Sequence, residues 1–241
     1  MIAGFIITGN SAKAVVLRGM GPSLTAFGIS GVLLDPVLEL HGSNGSLITM
    51  NDNWKDTQRS QIEGTVFQPS DDRESVILAT LAPAAYTTIL TGKSNTTGVG
   101  LIEVYDNNQA VVSQLANIST RGFVQSGNNV MIGGFILGGN PNSTRIALRG
   151  IGPSLSQFGL NNVLADPTLE LHNANGTTLV ANDNWTDDAV SAAQLTANGL
   201  ALSNPKEAGI FTSLPPGQFT AILAGKNGGV GIGLVEIYNL K

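Results

Sequence analysis

Apolar and polar positions alternate in short runs along this chain, and Gly, Asn, Asp and Pro separate the runs. The stretch VLELHGSNGSLITMN sets two alternating runs around Asn44-Gly45, and TLELHNANGTTLVAN does the same around Asn175-Gly176. Asn-Gly accommodates the positive φ angles of a type I′ turn, so each stretch predicts a β-hairpin. Further strands are predicted over residues 13–17, 75–80, 86–91 and 99–105, with counterparts later in the chain. Short helical turns are predicted over 22–27 and 56–63, and a longer one over 187–198. About seven or eight short strands in each half, with no βαβ rhythm, predict an antiparallel sandwich of jelly-roll type.

The counterparts arise because the chain repeats itself. MIAGFIITG, from Met1, returns as MIGGFILGG, from Met131. RGMGPSLTAFGISGVLLDPVLELHGSNGSLITMNDNW (18–54) returns as RGIGPSLSQFGLNNVLADPTLELHNANGTTLVANDNW (149–185), at a constant offset of 131. GVGLIEVYD then returns as GIGLVEIYN at an offset of 133. The predicted fold class is therefore all-β: two tandem antiparallel β-sandwich, jelly-roll-like domains from an internal duplication, at 1–106 and 131–241, with 107–130 between them. The repeat also reassigns the opening MIAGFIITG. No basic residue precedes Lys13, which argues against a secretion signal, and the apolar run is too short for a membrane helix, so it is expected to be a strand.

DPTLELHNANGTTLVANDNW, then LPPGQFTAILAGKNGG, then GLVEIY resembles the β-sandwich of bacterial pre-peptidase C-terminal domains, with their pattern DPxLxLYDxxGxxLxxND … LPAGxYxxxVxG. RGIGPSLSQFG…LADPTLELH is similar to tandem repeats of large bacterial secreted and surface proteins. Together the similarities cover most of both copies. They imply a non-catalytic, secreted accessory or structural module and specify no ligand.

Composition narrows the function classes. Of 241 residues, 42% are hydrophobic but only 12% are charged and 5% aromatic, and 30 are Gly, a turn-rich β profile. A net charge of -5 without a basic cluster leaves no footprint for nucleic acid. The absence of Cys removes disulfides, thiolate metal sites and a Cys nucleophile. Low charge with much Asn, Thr, Ser and Gly fits an extracellular or cell-surface location, without membrane insertion.

Twelve of the 17 carboxylates match between the copies: Asp35/Asp166, Glu39/Glu170, Asp52/Asp183, Asp56/Asp187, Glu74/Glu207 and Glu103/Glu236. The densest cluster is NDNWKD against NDNWTD. Its Asn51, Asp52 and Asp56, with Asn182, Asp183 and Asp187, supply the oxygen ligands that Ca²⁺ takes from a flexible loop. The competing reading is that Asn and Asp bond their own backbone in Asx-turns or cap a helix. Trp54 and Trp185 beside them are expected core anchors, with sugar stacking as the alternative. Arg18 and Arg149 precede Gly-x-Gly-Pro, but Pro22 and Pro153 remove a donor that a phosphate cradle needs. Each Arg is expected to pair with Glu39 or Glu103, or their equivalents. His41 and His172 are expected to face solvent. Ser23 and Ser154 sit outside any GxSxG elbow, so no enzyme is predicted.

Residues 109–130 occur once. Ala116-Asn117-Ile118-Ser119-Thr120 and Gly122-Phe123-Val124-Gln125 alternate as a strand that leads by SGNN into the second copy. No such strand precedes the first copy within the chain. One domain is thus expected to show an open sheet edge, a template for strand addition. A non-closing head-to-tail contact builds a filament. The chain is accordingly expected to polymerise with itself, through Met1, Ile2, Phe5, Ile6, Ile118, Phe123 and Val124. The same pattern arises where a preceding repeat supplies the strand. The second function class is a Ca²⁺-dependent carbohydrate- or protein-binding accessory module of a secreted enzyme or adhesin.

Overall fold

A computed structural model describes residues 1–138 and 142–240; Gly139, which ends the repeated MIGGFILGG, lies outside the described residues. The chain divides into two compact units, Met1–Ala116 and Asn117–Lys241. Seven strands lie in the first: β1 (Ile2–Thr8), β2 (Lys13–Met20), β3 (Pro36–His41), β4 (Leu47–Asn51), β5 (Ser75–Leu81), β6 (Ala85–Gly92) and β7 (Leu101–Asp106). β8 (Gln114–Val124) begins in the first unit, and its residues 117–124 pair in the second. Seven more follow: β9 (Met131–Leu137), β10 (Thr144–Ile151), β11 (Pro167–Asn173), β12 (Thr178–Asn182), β13 (Ala208–Leu214), β14 (Gly217–Gly225) and β15 (Gly231–Leu240). Two short α-helices, α1 (Arg59–Ile62) and α2 (Ala189–Ala197), interrupt them.

The pairing in the second unit is nested. β8 pairs with β15, β9 with β14, β10 with β13 and β11 with β12, all antiparallel. One long hairpin has thus been wrapped so that successive pairs fall in alternate sheets. The pairs β10–β15 and β11–β14 then complete, within this unit, the strand orders β13-β10-β15-β8 and β12-β11-β14-β9. This is the eight-stranded wrapping of a jelly roll. The first unit repeats it with β1–β6, β2–β5 and β3–β4, completed by β2–β7 and β3–β6. Its outermost pair is missing: β7 ends the three-stranded sheet β5-β2-β7.

Alternation sends every second side chain inward. In β1 the inward positions are Ala3, Phe5 and Ile7, each at most 3% exposed, and Phe5 stacks on Tyr86 with ring centroids 5.4 Å apart. Val15, Leu17, Leu38, Leu40, Ile77 and Leu90 complete that core. A smaller apolar cluster of Trp54, Ile62, Val16 and Val76 covers the other face of β2 and β5. In the second unit Asp188 caps α2 by accepting from Val190 and Ser191 N–H groups, and Leu195 of α2 packs into the equivalent cluster.

Both hairpins at Asn-Gly form, but not with type I′ turns. Gly45 and Gly176 have φ of +78° and +77°, whereas neither Asn44 nor Asn175 has positive φ. The Gly45 N–H donates to Gly42 O, closing a β-turn that leaves only the glycine left-handed, and the β3–β4 register shifts at Leu40/His41. The longer loop with a bulge absorbs the twist that a two-residue turn would have needed Asn44 to supply.

Candidate functional site

The NDNW loops are knitted to the sandwich. The Asn51 side-chain oxygen accepts from the Val76 N–H at 2.9 Å, and its amide donates to Asn53 O at 2.9 Å. Asn182 repeats this with the Gly209 N–H and Asn184 O. Asp52 is bridged by Lys93 at 2.6 Å, and Asp183 by Lys226. Asp56 and Asp187 accept from the amides of Asn53 and Asn184, each at 3.0 Å. The six residues expected to ligate Ca²⁺ thus each engage protein partners in this structure. Among the described residues no group of three or more His, Cys, Asp or Glu stands together as a metal site. Trp54 is 1% exposed and presents no ring face to a sugar, while Trp185 is half-buried against Leu195 and its neighbours.

The Gly-x-Gly-Pro-Ser motif is held by an acid that sequence spacing did not reveal. Glu74, fully buried, receives three bonds on one oxygen: the Gly21 N–H at 2.9 Å, the Ser23 N–H at 2.9 Å and the Ser23 hydroxyl at 2.6 Å. Pro22, which lacks an N–H, lies between the two backbone donors, so the turn presents just the groups that the carboxylate takes. Glu207 clasps Gly152 and Ser154 in the same way. A matched acid in both copies was the available signal; its partner lies 51 residues away.

Arg18 pairs with Glu103 directly opposite on β7, at 3.2 Å, and not with Glu39. Arg149 and Glu236 repeat the pair at 3.3 Å. Burial raises the Glu236 pKa, against the pull of Arg149. Tyr105 donates to Glu103, and its own pKa is pushed up to about 12, by burial first and then by that carboxylate.

The histidines do not face solvent freely. Two residues apart on β3, Glu39 and His41 share a face, and His41 Nε2 lies 2.7 Å from the Glu39 carboxylate while Nδ1 lies 3.1 Å from Gly45 O. Both ring nitrogens thus meet acceptors, which favours imidazolium, and the Glu39 hydrogen bond, then the Gly45 carbonyl, raise the His41 pKa above 6.5. A raised folded pKa stabilises the fold fully below the unfolded value and stops doing so as pH rises through the folded one. The first unit should therefore resist urea better at pH 6 than at pH 8, and Glu39→Gln should shrink the difference, leaving the part due to the Gly45 carbonyl. An NMR titration of His41 with its midpoint at or below 6.5 would contradict this.

The two units differ most at one sheet edge. β15 is covered by β8 in the register Gly231↔Val124, Gly233↔Gly122, Val235↔Thr120 and Ile237↔Ile118. Val235 and Ile237 are buried there, with Val124 fully buried beside them. The matching Ile102 and Val104 of β7 are only half-buried. Met131, beneath Gly122, is 8% exposed, but its counterpart Met1 is 40% exposed. A cavity of about 310 Å³ opens at this place in the first unit, lined by Met1, Leu33, Leu90, Gly98 and Gly100. In the second unit the counterparts of Leu33, Leu90 and Gly100 are Leu164, Leu223 and Gly233, and these three meet with the Val124 side chain.

Of the residues expected to mediate assembly, the structure brings Ile118 and Val124 to this kind of edge, and Phe123 points outward at 56% exposure. Phe5 is core and cannot form a junction surface. Ile2 and Ile6 are half-buried on β1, in register with Ile89 and Ala85 of β6.

No protein-family model and no curated protein matches the chain. Among solved structures it aligns with the major capsid protein P2 of bacteriophage PM2, at 10% identity over 100% of this chain and 93% of that one, with a TM-score of 0.25. It also aligns with a structure from Sulfolobus Turreted Icosahedral Virus, at 12% identity over 99% and 88%, with a TM-score of 0.30. Likenesses at this level carry no functional argument. The jelly-roll assignment rests on the nested strand pairing.

Proposed function

We propose that this protein is a non-catalytic structural component of a cell exterior, in which jelly-roll units are joined head to tail into a filament or surface layer. One observation carries the reading. The polypeptide leaving β7 of the first copy supplies β8, which closes the sheet of the second, so joining a unit to the next and completing the next unit's sheet are a single event. The first unit carries the same acceptor edge uncovered. Its acids support the reading too. Glu74, Glu103 and Glu39, with their counterparts, are engaged in holding turns and strands, which is the work of a scaffold.

Fractionation of the producing cells, followed by electron microscopy of the external material, tests this. The protein is expected in high-mass external material showing a regular repeat of paired units. Recovery as single chains inside the cell would overturn it.

A further inference from the structure

We infer that β7 of the first unit is an acceptor for one extended strand of another polypeptide, running antiparallel to it with the side-chain pattern of β8. The inference rests on the structural reading above and names the joining partner. Three features of the first unit converge on it: a sheet that stops at β7, half-buried Ile102 and Val104, and the cavity between Met1, Leu33, Leu90, Gly98 and Gly100.

The second unit displays the occupant. Carrying the β8–β15 register over to the repeat places the arriving strand's residues opposite Tyr105 to Gly98 in the order in which residues 117–124 face Tyr238 to Gly231. That fixes the side chains required. An apolar residue like Ile118 meets Val104, a β-branched one like Thr120 meets Ile102, and a residue as small as Gly122 leaves room for Met1. A Val or similar meets Gly98, its side chain filling the cavity as Val124 fills the same place beside Gly233. Alternate backbone N–H and C=O groups of β7 point away from β2 and supply the ladder. Edge strands are ordinarily blunted by Lys, Pro or a bulge. β7, LIEVYD, has neither Lys nor Pro, and its pairing with β2 runs without a register shift. The free edges of β4 and β5 recur as β12 and β13, so they belong to the unit; the edge of β7 does not recur, because its counterpart β15 is covered by β8.

Counting strands identifies the source. Among the described residues each chain has two acceptors of this type, β7 and β15, and one donor, β8. A second copy that lends its β8 uncovers its own β15, so exchange among copies moves the gap without closing it. The strand is therefore that of a partner polypeptide and not a β8 exchanged between copies.

The test uses the intact chain and a synthetic peptide with the sequence of residues 114–125, followed by hydrogen exchange and mass spectrometry. One peptide per chain is expected to bind, slowing exchange across 101–105 by at least about tenfold, as a new ladder should. The peptide with Val124→Asp should bind at least about tenfold more weakly, having lost the cavity-filling group. A second form avoids dependence on peptide affinity: residues 107–130 duplicated ahead of Met1. It should protect 101–105 without added peptide and raise the urea midpoint of the first unit. Unchanged exchange in β7 in both experiments would overturn the inference, as would protection confined to β15 or binding insensitive to Val124→Asp. Because the structural reading is tested in cell fractions, either can fail while the other stands.

Discussion

Glu74→Ala is expected to destabilise the first unit by about 3 kcal/mol or more, from the loss of charge-assisted bonds and the stranding of buried donors. One carboxylate oxygen gathers the N–H groups of Gly21 and Ser23 and the Ser23 hydroxyl, at a fully buried position. Alanine leaves all three without that acceptor at a position buried from solvent. The turn has no slack to find other partners: a Cβ on Gly21 would stand 2.0 Å from Leu33 O, so the backbone there is already in contact. Glu74→Gln should be intermediate. It keeps an acceptor for the three donors but sets an amide where Oε2 is buried without a partner. Urea unfolding read by Trp54, in a Trp185→Phe background, isolates the first unit. Trp54 suits the purpose, since its backbone N–H donates to the backbone carbonyl of Glu74 at 2.8 Å. Glu207→Ala, read by Trp185 in a Trp54→Phe background, should reproduce the loss in the second unit. A loss under about 1 kcal/mol in both would mean that the clasp is replaced by water or neighbours.

How much of this was visible beforehand depended on range along the chain. Alternation and turn residues are local, and they marked β2, β5, β6 and β7 within a few residues and the Pro22–Phe27 turn at its observed limits. The duplication added what single-strand reading lacks, a comparison of two copies, and it located the strand that one copy has and the other does not. What stayed hidden was long-range. Glu74 and Ser23 lie on different elements, and nothing in either segment names the other. The NDNW cluster reads ambiguously because Asn and Asp serve equally as Ca²⁺ ligands and as bridges to backbone, and the Val76 and Gly209 N–H groups that Asn51 and Asn182 engage come from the next strand. His41 is a different case, since its contact with Glu39 follows from strand period two and was open to local inference. Phe5 was misplaced for a related reason: the same alternation that made β1 a strand put Phe5 on its inner face.

Strand β8 is the chain's own measure of what the missing strand contributes. Val124→Asp is expected to cost the second unit about 3 kcal/mol or more, because it sets a charge in a fully buried apolar space. The loss should be local in a particular way. Exchange should quicken along 231–238, the residues that β8 covers, and Met131 should become accessible, so that the second unit comes to resemble the first. Phe123→Asp, on the same strand but 56% exposed and facing outward, should change stability by no more than about 0.5 kcal/mol. The contrast separates loss of an inward side chain from general damage to the strand. If Val124→Asp left the second unit as stable as before, with β15 still protected, β8 would be an ornament on a sheet complete without it. The half-buried Ile102 and Val104 of β7 would then need no partner, and the open edge would be the resting state of this jelly roll.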